Sequence, residues 1–404
     1  MRQNSSSSIR ELTLATLAFF LCFAAWGMLA PIAPKLQDQL GLSNTETAIM
    51  IAIPVVLGSL LRIPLGRLTD RHGGRVMFTA MLVYAAVPPL LVGTVDSYPL
   101  LLLAGLLLGV SGASFAIGVP FVAGWFTTER QGWALGLYGI GTAGTAVSAF
   151  AMPALFTGAG RGVAGVIYAA VLLSFAALWA LLARDAEVER PKPEPLRKVL
   201  RLGPTLWQLA LFYFVTFGGF VAMSIYLPKL LRDWFAFSLT DAGLRTAGFV
   251  VVAAVVARPI GGWLSDRIGG YKVAAISFFG IGLDAVGLAW QASDPEIVPV
   301  TVICLTMAFF LGLGNGAVFK LVPQRFPQAT GSVTGIVGAA GGLGGFFPPL
   351  VLGLVKDATD TYLMAFVFLV SFAWMCAGLA LMLTGSEHEP TSPGPAPTPV
   401  GIRR

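Results

Sequence analysis

Arg62-Ile-Pro-Leu-Gly66-Arg-Leu-Thr-Asp70-Arg71-His-Gly73-Gly-Arg75 and Arg258-Pro-Ile-Gly-Gly262-Trp-Leu-Ser-Asp266-Arg267-Ile-Gly269-Gly270 are two versions of one pattern, one in each half of the chain. Each starts with an arginine inside an apolar stretch and ends in a Gly-Gly turn. Arginine does not lose its proton in a protein, so placing one at bilayer depth costs at least ~2.5–3.5 kcal/mol unless an anion or a wet cavity faces it. Two such arginines related by a repeat point to a site that holds a small anion from both sides.

The surrounding composition places the pattern in a membrane. The 404 residues are 56% hydrophobic and only 11% charged, against roughly 25% charged in soluble domains. Apolar runs long enough to cross a hydrocarbon core of about 30 Å as helices are expected near 12–34, 44–66, 76–94, 99–121, 131–157, 163–184, 204–231, 240–264, 271–291, 297–323, 331–355 and 360–384. The reading is an all-α membrane protein with twelve transmembrane helices. Most lysines and arginines, among them Arg67, Arg71, Arg75, Arg130, Arg197, Lys198 and Arg267, fall in the tails and even-numbered loops. Basic residues in short loops stay on the cytoplasmic side, so both termini are expected there, in the cytoplasmic (inner) membrane. The net charge of +6 follows from this bias, and no nucleic-acid partner is read from it. Cys22, Cys304 and Cys376 lie inside spans with neither disulfide-framework nor zinc spacing, and no metal or cofactor is expected.

Residues 185–203 are charged and proline-rich, with six spans on either side. They divide the chain into a bundle at 12–184, a cytoplasmic linker at 185–203, a second bundle at 204–385 and a disordered tail at 386–404. An offset of about 200 residues relates the halves, as in duplicated carrier folds. It carries Arg62 to Arg258, Gly132, Gly136 and Gly139 to Gly331, Gly335 and Gly338, and Gly109 and Pro120 to Gly312 and Pro323. This 6+6 array, with its repeated loop motif, resembles the major facilitator superfamily. In that fold Gly66, Asp70, Arg71, Asp266 and Arg267 are expected to latch one conformation at the cytoplasmic face rather than to touch substrate.

Finer motifs narrow the resemblance. The stretches Arg130-Gln-Gly-Trp-Ala-Leu-Gly-Leu-Tyr-Gly-Ile-Gly-Thr142 and Thr330-Gly-Ser-Val-Thr-Gly-Ile-Val-Gly-Ala-Ala-Gly-Gly resemble the two signatures of the nitrate/nitrite porter family. So do Gly312-Leu-Gly-Asn315-Gly-Ala-Val-Phe-Lys320, Tyr213-Phe-Val-Thr-Phe217-Gly-Gly and Gly112-Ala-Ser-Phe115. The resemblance implies that Arg62 and Arg258 hold the anion, that Tyr213, Thr142 and Asn315 add polar contacts, and that Phe115 and Phe217 sandwich it. Planar guanidinium forks suit planar oxyanions such as nitrate or nitrite. Thr142 departs from the asparagine usual there, which leaves one donor where an amide has two. Glycines in spans allow close helix packing, and Gly139, Gly141, Gly338 and Gly341 are expected to permit bending as well.

The expected activity is secondary transport of nitrate, nitrite or both by alternating access, by a monomer in the lipid bilayer. Two fixed charges around one anion make an empty site slow to close, which favours nitrate/nitrite exchange. Lys320 offers a second route. Beside two arginines in a low-dielectric site it would be neutral without the anion and charged with it, which is the linkage that proton-coupled nitrate uptake needs. Proton-coupled uptake is the expectation, with Lys320 and Asp284 as candidate proton carriers. The competing reading for Lys320 is that it snorkels to the cytoplasmic end of its helix. Alternatives for the whole chain are another small-anion carrier or a membrane sensor. No metalloprotease, P-loop or hydrolase-elbow motif supports an enzyme.

Overall fold

The structure, a computed structural model, describes residues 5–187, 195–359 and 361–386. Of the expected linker, residues 188–194 lie outside the described residues, as do residues 387–404 of the expected tail. Among the described residues twelve long helices carry the fold. Eleven combine the length and hydropathy of a membrane span: α1 Ser7–Ile32, α2 Ile49–His72, α3 Gly74–Thr94, α4 Tyr98–Ala123, α5 Thr128–Gly158, α6 Arg161–Leu182, α7 Pro204–Phe235, α8 Asp241–Ile268, α9 Gly270–Gln291, α10 Ile297–Arg325 and α12 Leu363–Met382. Between the last two lies α11, Thr330–Thr359. Exposed apolar side chains such as Leu181, Trp290 and Phe368 coat the outside of the bundle, as a protein solvated by lipid tails requires.

Helix α2 runs further than hydropathy suggests. It continues to His72 and stops at Gly73, whose φ of 83° lies in the left-handed region. The repeat behaves alike, since α8 stops at Gly269 with φ 99°. Glycine takes this conformation without a Cβ penalty, which explains the glycine after each Asp-Arg pair. Asp70 and Asp266 are thus placed in the last turns of helices, not in loops. At the other end of α2 the chain enters through a capping box. Ser43 Oγ accepts from the Glu46 N–H while the Glu46 carboxylate accepts from the Ser43 N–H, bonds that hold the Glu46 carboxyl below its ordinary pKa.

Three of the departures from α-geometry within spans lie next to expected site residues. Gly112–Ser114 in α4 and Gly139–Ala143 in α5 are 3-10 turns, and Val252–Ala257 in α8 is a π-helical turn ending at Arg258. Such local rewinding re-aims the side chains that follow and is frequent at functional sites.

The two halves meet along two glycine seams. In the α2/α11 seam a methyl group on Gly66 would collide with the Gly331 carbonyl, and one on Gly335 with the Arg62 carbonyl. In the α5/α8 seam a methyl on Gly262 would collide with the Gly132 carbonyl, and one on Gly136 would press on Arg258 and Pro259. Backbones this close need residues without side chains on both helices. These seams close the face that carries the α2–α3 and α8–α9 turns, called here the latch face.

Candidate functional site

Arg62 is 4% exposed and is anchored to both halves of the molecule. Its Nη1 donates to the Gly338 carbonyl of α11 at 2.6 Å, and its Nη2 and Nε donate to the Gly112 carbonyl of α4 at 3.2 and 3.4 Å. The 3-10 turn beginning at Gly112 belongs to the irregular stretch that presents this carbonyl. Arg258 is 2% exposed, and its Nη2 donates to Tyr213 Oη at 3.1 Å. Gly338 and Gly139, expected as hinge positions, are where these two arginines lie. A Cβ on Gly338 would sit 3.0 Å from Arg62 Cδ, and one on Gly139 would collide with the Arg258 side chain. Gly341 and Gly141 make the same allowance for the Tyr213 and Phe19 rings.

An aromatic box surrounds the pair. Arg62 Cζ lies 5.2 Å from the Phe217 ring centroid, and Arg258 Cζ lies 5.2 Å from that of Phe115 and 6.0 Å from that of Phe217. The ring faces attract the guanidinium groups. The Tyr213 ring is parallel to both phenylalanines within 9°, 6.3 Å from Phe115 and 4.9 Å from Phe217. Phe319 of α10 meets Phe115 and Tyr213 edge-on at 4.6 and 4.5 Å, and Tyr138 stacks on Phe115 at 5.7 Å. Sequence reasoning missed Phe319 and Tyr138. Both lie inside motifs already quoted, where an aromatic residue reads as ordinary packing.

A cavity of about 340 Å³ leads to Arg62. Its walls include Trp26, Pro31, Pro54, Ser59, Thr142, Phe217, Phe220, Pro228 and Gly243. Its outer wall, with Pro31, Pro54, Pro228 and Gly243, comes from the ends of α1 and α7 and the beginnings of α2 and α8, and its inner wall from mid-helix residues Ser59, Thr142 and Phe217, so the cavity opens opposite the latch face. Thr142 lines it, but its hydroxyl donates to the Gly139 carbonyl at 2.9 Å. Asn315 is buried, and its Oδ1 has no hydrogen-bond partner among the described residues.

At the latch face the carboxylates do the holding. Asp70 accepts from the backbone N–H groups of Gly331 and Ser332 at 2.9 and 2.8 Å and from the Ser332 hydroxyl at 2.7 Å. Asp266 accepts from the N–H groups of Gly132 and Trp133 at 2.9 and 2.7 Å. Each carboxylate thus caps the first turn of a helix from the other half, where donors and helix dipole both favour an anion. The arginines of the motif take little part: Arg71 is exposed, and Arg267 stacks on Trp263 of its own helix at 4.0 Å.

The two proton-carrier candidates are not beside the arginine pair. Lys320 Nζ pairs with Asp266 Oδ1 at 2.8 Å, both side chains less than a tenth exposed, and also donates to the Thr128 carbonyl. Asp266 is eight residues beyond Arg258 on one helix, about 12 Å along its axis at 1.5 Å per residue. The lysine therefore reaches toward the latch face, where its ammonium is buried in an ion pair rather than placed in water. Asp284 is on α9, where its Oδ1 accepts from Thr306 of α10 at 2.8 Å, next to the exposed Leu283 and Val286.

Comparisons with known proteins give the family. The chain is 43% identical over 392 residues to a protein named "Probable nitrate/nitrite transporter NarK2" from Mycobacterium tuberculosis, covering 95% of this chain and 97% of that one. It is 38% identical over 383 residues to the "Nitrite extrusion protein" of Bacillus subtilis, covering 94% and 96%. Among solved structures, the proton:xylose symporter XylE superposes with a TM-score of 0.75 at 15% identity over 96% of this chain and 97% of that one, a likeness of fold. A family profile described as Major Facilitator Superfamily matches residues 15–349. That match over most of its length, together with these relatives, shows that this chain belongs to the Major Facilitator Superfamily.

Proposed function

We propose that this protein carries nitrate and nitrite across the cytoplasmic membrane by alternating access, with the anion held between Arg62 and Arg258. The observation that carries the reading is the pair of buried guanidinium groups, one from each half, enclosed by near-parallel aromatic rings, with Arg62 at the end of a cavity. Two fixed positive charges in a dry site call for a compact anion. Guanidinium forks suit planar oxygens, and ring faces favour a flat guest over a tetrahedral one. The relatives' names, a nitrate/nitrite transporter and a nitrite extrusion protein, support the same substrate class.

In this reading Tyr213 adds a hydroxyl and keeps Arg258 aimed at the anion, and Phe115 and Phe217 flank it. Asn315 can turn its amide toward it, and Thr142 contributes shape more than a donor. Both termini face the cytoplasm, so the cavity faces outward, and the protein works as a monomer. Exchange of nitrate for nitrite fits the placement of Lys320 and Asp284 better than proton coupling does, because neither acts on the charge around the arginines. An empty site would bring two unscreened guanidinium groups together as the halves rock, so a second anion should be needed for the return step.

The test is uptake of labelled nitrate into proteoliposomes. Internal nitrite without a pH gradient is expected to support uptake, and a pH gradient alone is not. Uptake driven by the gradient alone would replace exchange with proton symport. No uptake in either arm would overturn the substrate.

A further inference from the structure

We propose that Lys320 is a positioning residue that holds the latch face shut by acting through Asp266. The argument begins with the repeat. The offset that relates α4 to α10 carries Lys320 onto Ile117, a fully buried apolar side chain. The ammonium therefore serves only one of the two seams, the one between α5 and α8. There it makes two bonds of different kinds. Its ion pair with Asp266 stays within the second half, whereas its bond to the Thr128 carbonyl crosses to the first.

Both bonds favour the closed face. Asp266 is buried where it caps α5, and a buried carboxylate needs a counter-charge as well as donors. When the halves part, water reaches Asp266, and the counter-charge matters less. The bond to Thr128 is lost in the same movement, together with the two cap bonds from Gly132 and Trp133. Removing the ammonium should thus destabilise the closed face much more than the open one. A charge-assisted hydrogen bond contributes enough to shift the closed-to-open ratio about tenfold.

This proposal rests on alternating access of the fold but not on the identity of the anion, and its test uses no substrate. Spin labels at His72→Cys and Lys272→Cys, exposed positions on the latch face of the two halves, report closed and open populations by pulsed electron paramagnetic resonance distances. Cys22, Cys304 and Cys376 are buried and are replaced by alanine in the background. Lys320→Gln is expected to raise the open fraction about tenfold relative to closed, and Lys320→Arg to return most of it. The same series is read in an Asp70→Asn background, where the other cap is weakened and both populations are measurable. An unchanged distribution for Lys320→Gln in both backgrounds would overturn the proposal. So would an equal shift from Lys320→Arg, which keeps the charge. Retained folding is checked by a monodisperse elution profile.

Discussion

The α2/α11 and α5/α8 seams are copies of one design, and they differ in what stands behind each carboxylate. Both bring glycine against glycine, both pass an arginine from one half beside a glycine of the other, and both end in an aspartate capping a helix N-terminus. Behind Asp70 stands a neutral hydroxyl, Ser332, and behind Asp266 an ammonium, Lys320. The arginines differ in the opposite sense. Arg62 makes bonds to carbonyls of both halves, whereas Arg258 bonds to Tyr213 within its own half. The first seam is thus bonded across the halves at its carboxylate and at its arginine, and the second at its carboxylate and the ammonium behind it.

The largest effect is expected from Arg62→Lys and Arg258→Lys, each of which should lower nitrate uptake by about 100-fold, since an ammonium cannot reproduce the guanidinium fork. The two should part company in a spin-label distance measurement across the latch face. Arg62→Lys loses the Gly338 bond that ties the halves together and should shift that face toward open, while Arg258→Lys, whose bond to Tyr213 stays within one half, should leave it closed. Equal distances in the two variants would break the contrast.

Next come the carboxylates. Asp266→Asn leaves the buried Lys320 without its partner and is expected to cost about 3–5 kcal/mol. Asp70→Asn forfeits charge-assisted bonds only, at about 1.5–3 kcal/mol. Thermal unfolding in detergent should rank Asp266→Asn as the less stable variant, and the reverse order would show that the ammonium is not what separates the seams.

Smaller again are the glycines beside the arginines. A Cβ at position 139 collides with the Arg258 side chain, whereas at 338 it meets Arg62 Cδ at 3.0 Å. Gly139→Ala should therefore cost at the upper end of about 1–3 kcal/mol and Gly338→Ala at the lower end, and nitrate affinity should fall in that order. The smallest expected change is for Ser332→Ala. It removes one hydroxyl from the Asp70 cap at about 1 kcal/mol, visible as a slight rise in the open population at the latch face.

Much of this architecture is legible in the chain. Arg62 and Arg258 stand out because charge at bilayer depth is costly, and the Gly-x-x-x-Gly spacing of α5 and α11 announces close helix contact. Gly73 and Gly269 mark the helix ends through their position after Asp-Arg. Phe319 and Tyr138 do not stand out, since hydropathy scores a ring facing lipid and a ring facing the site alike. The place of Lys320 could not be read either. Whether a lysine joins two arginines or reaches a carboxylate depends on which way a long side chain leaves its helix, and its partner Asp266 is remote in sequence. The glycines expected as hinges illustrate the same limit. Spacing shows that something must approach Gly139 and Gly338, but only packing reveals that it is the arginine of the opposite half.

By itself the sequence determined membrane residence, the twelve spans, the duplication and the two arginines. These follow from local properties: hydropathy over a helix length, the cost of a buried charge and the spacing of small residues. The tertiary structure decided which repeat meets which, that each carboxylate caps a helix of the other half, and that Asp266 is paired with the Lys320 ammonium. Those outcomes rest on contacts between residues remote in sequence, whose energies depend on side-chain direction and burial that no local pattern encodes.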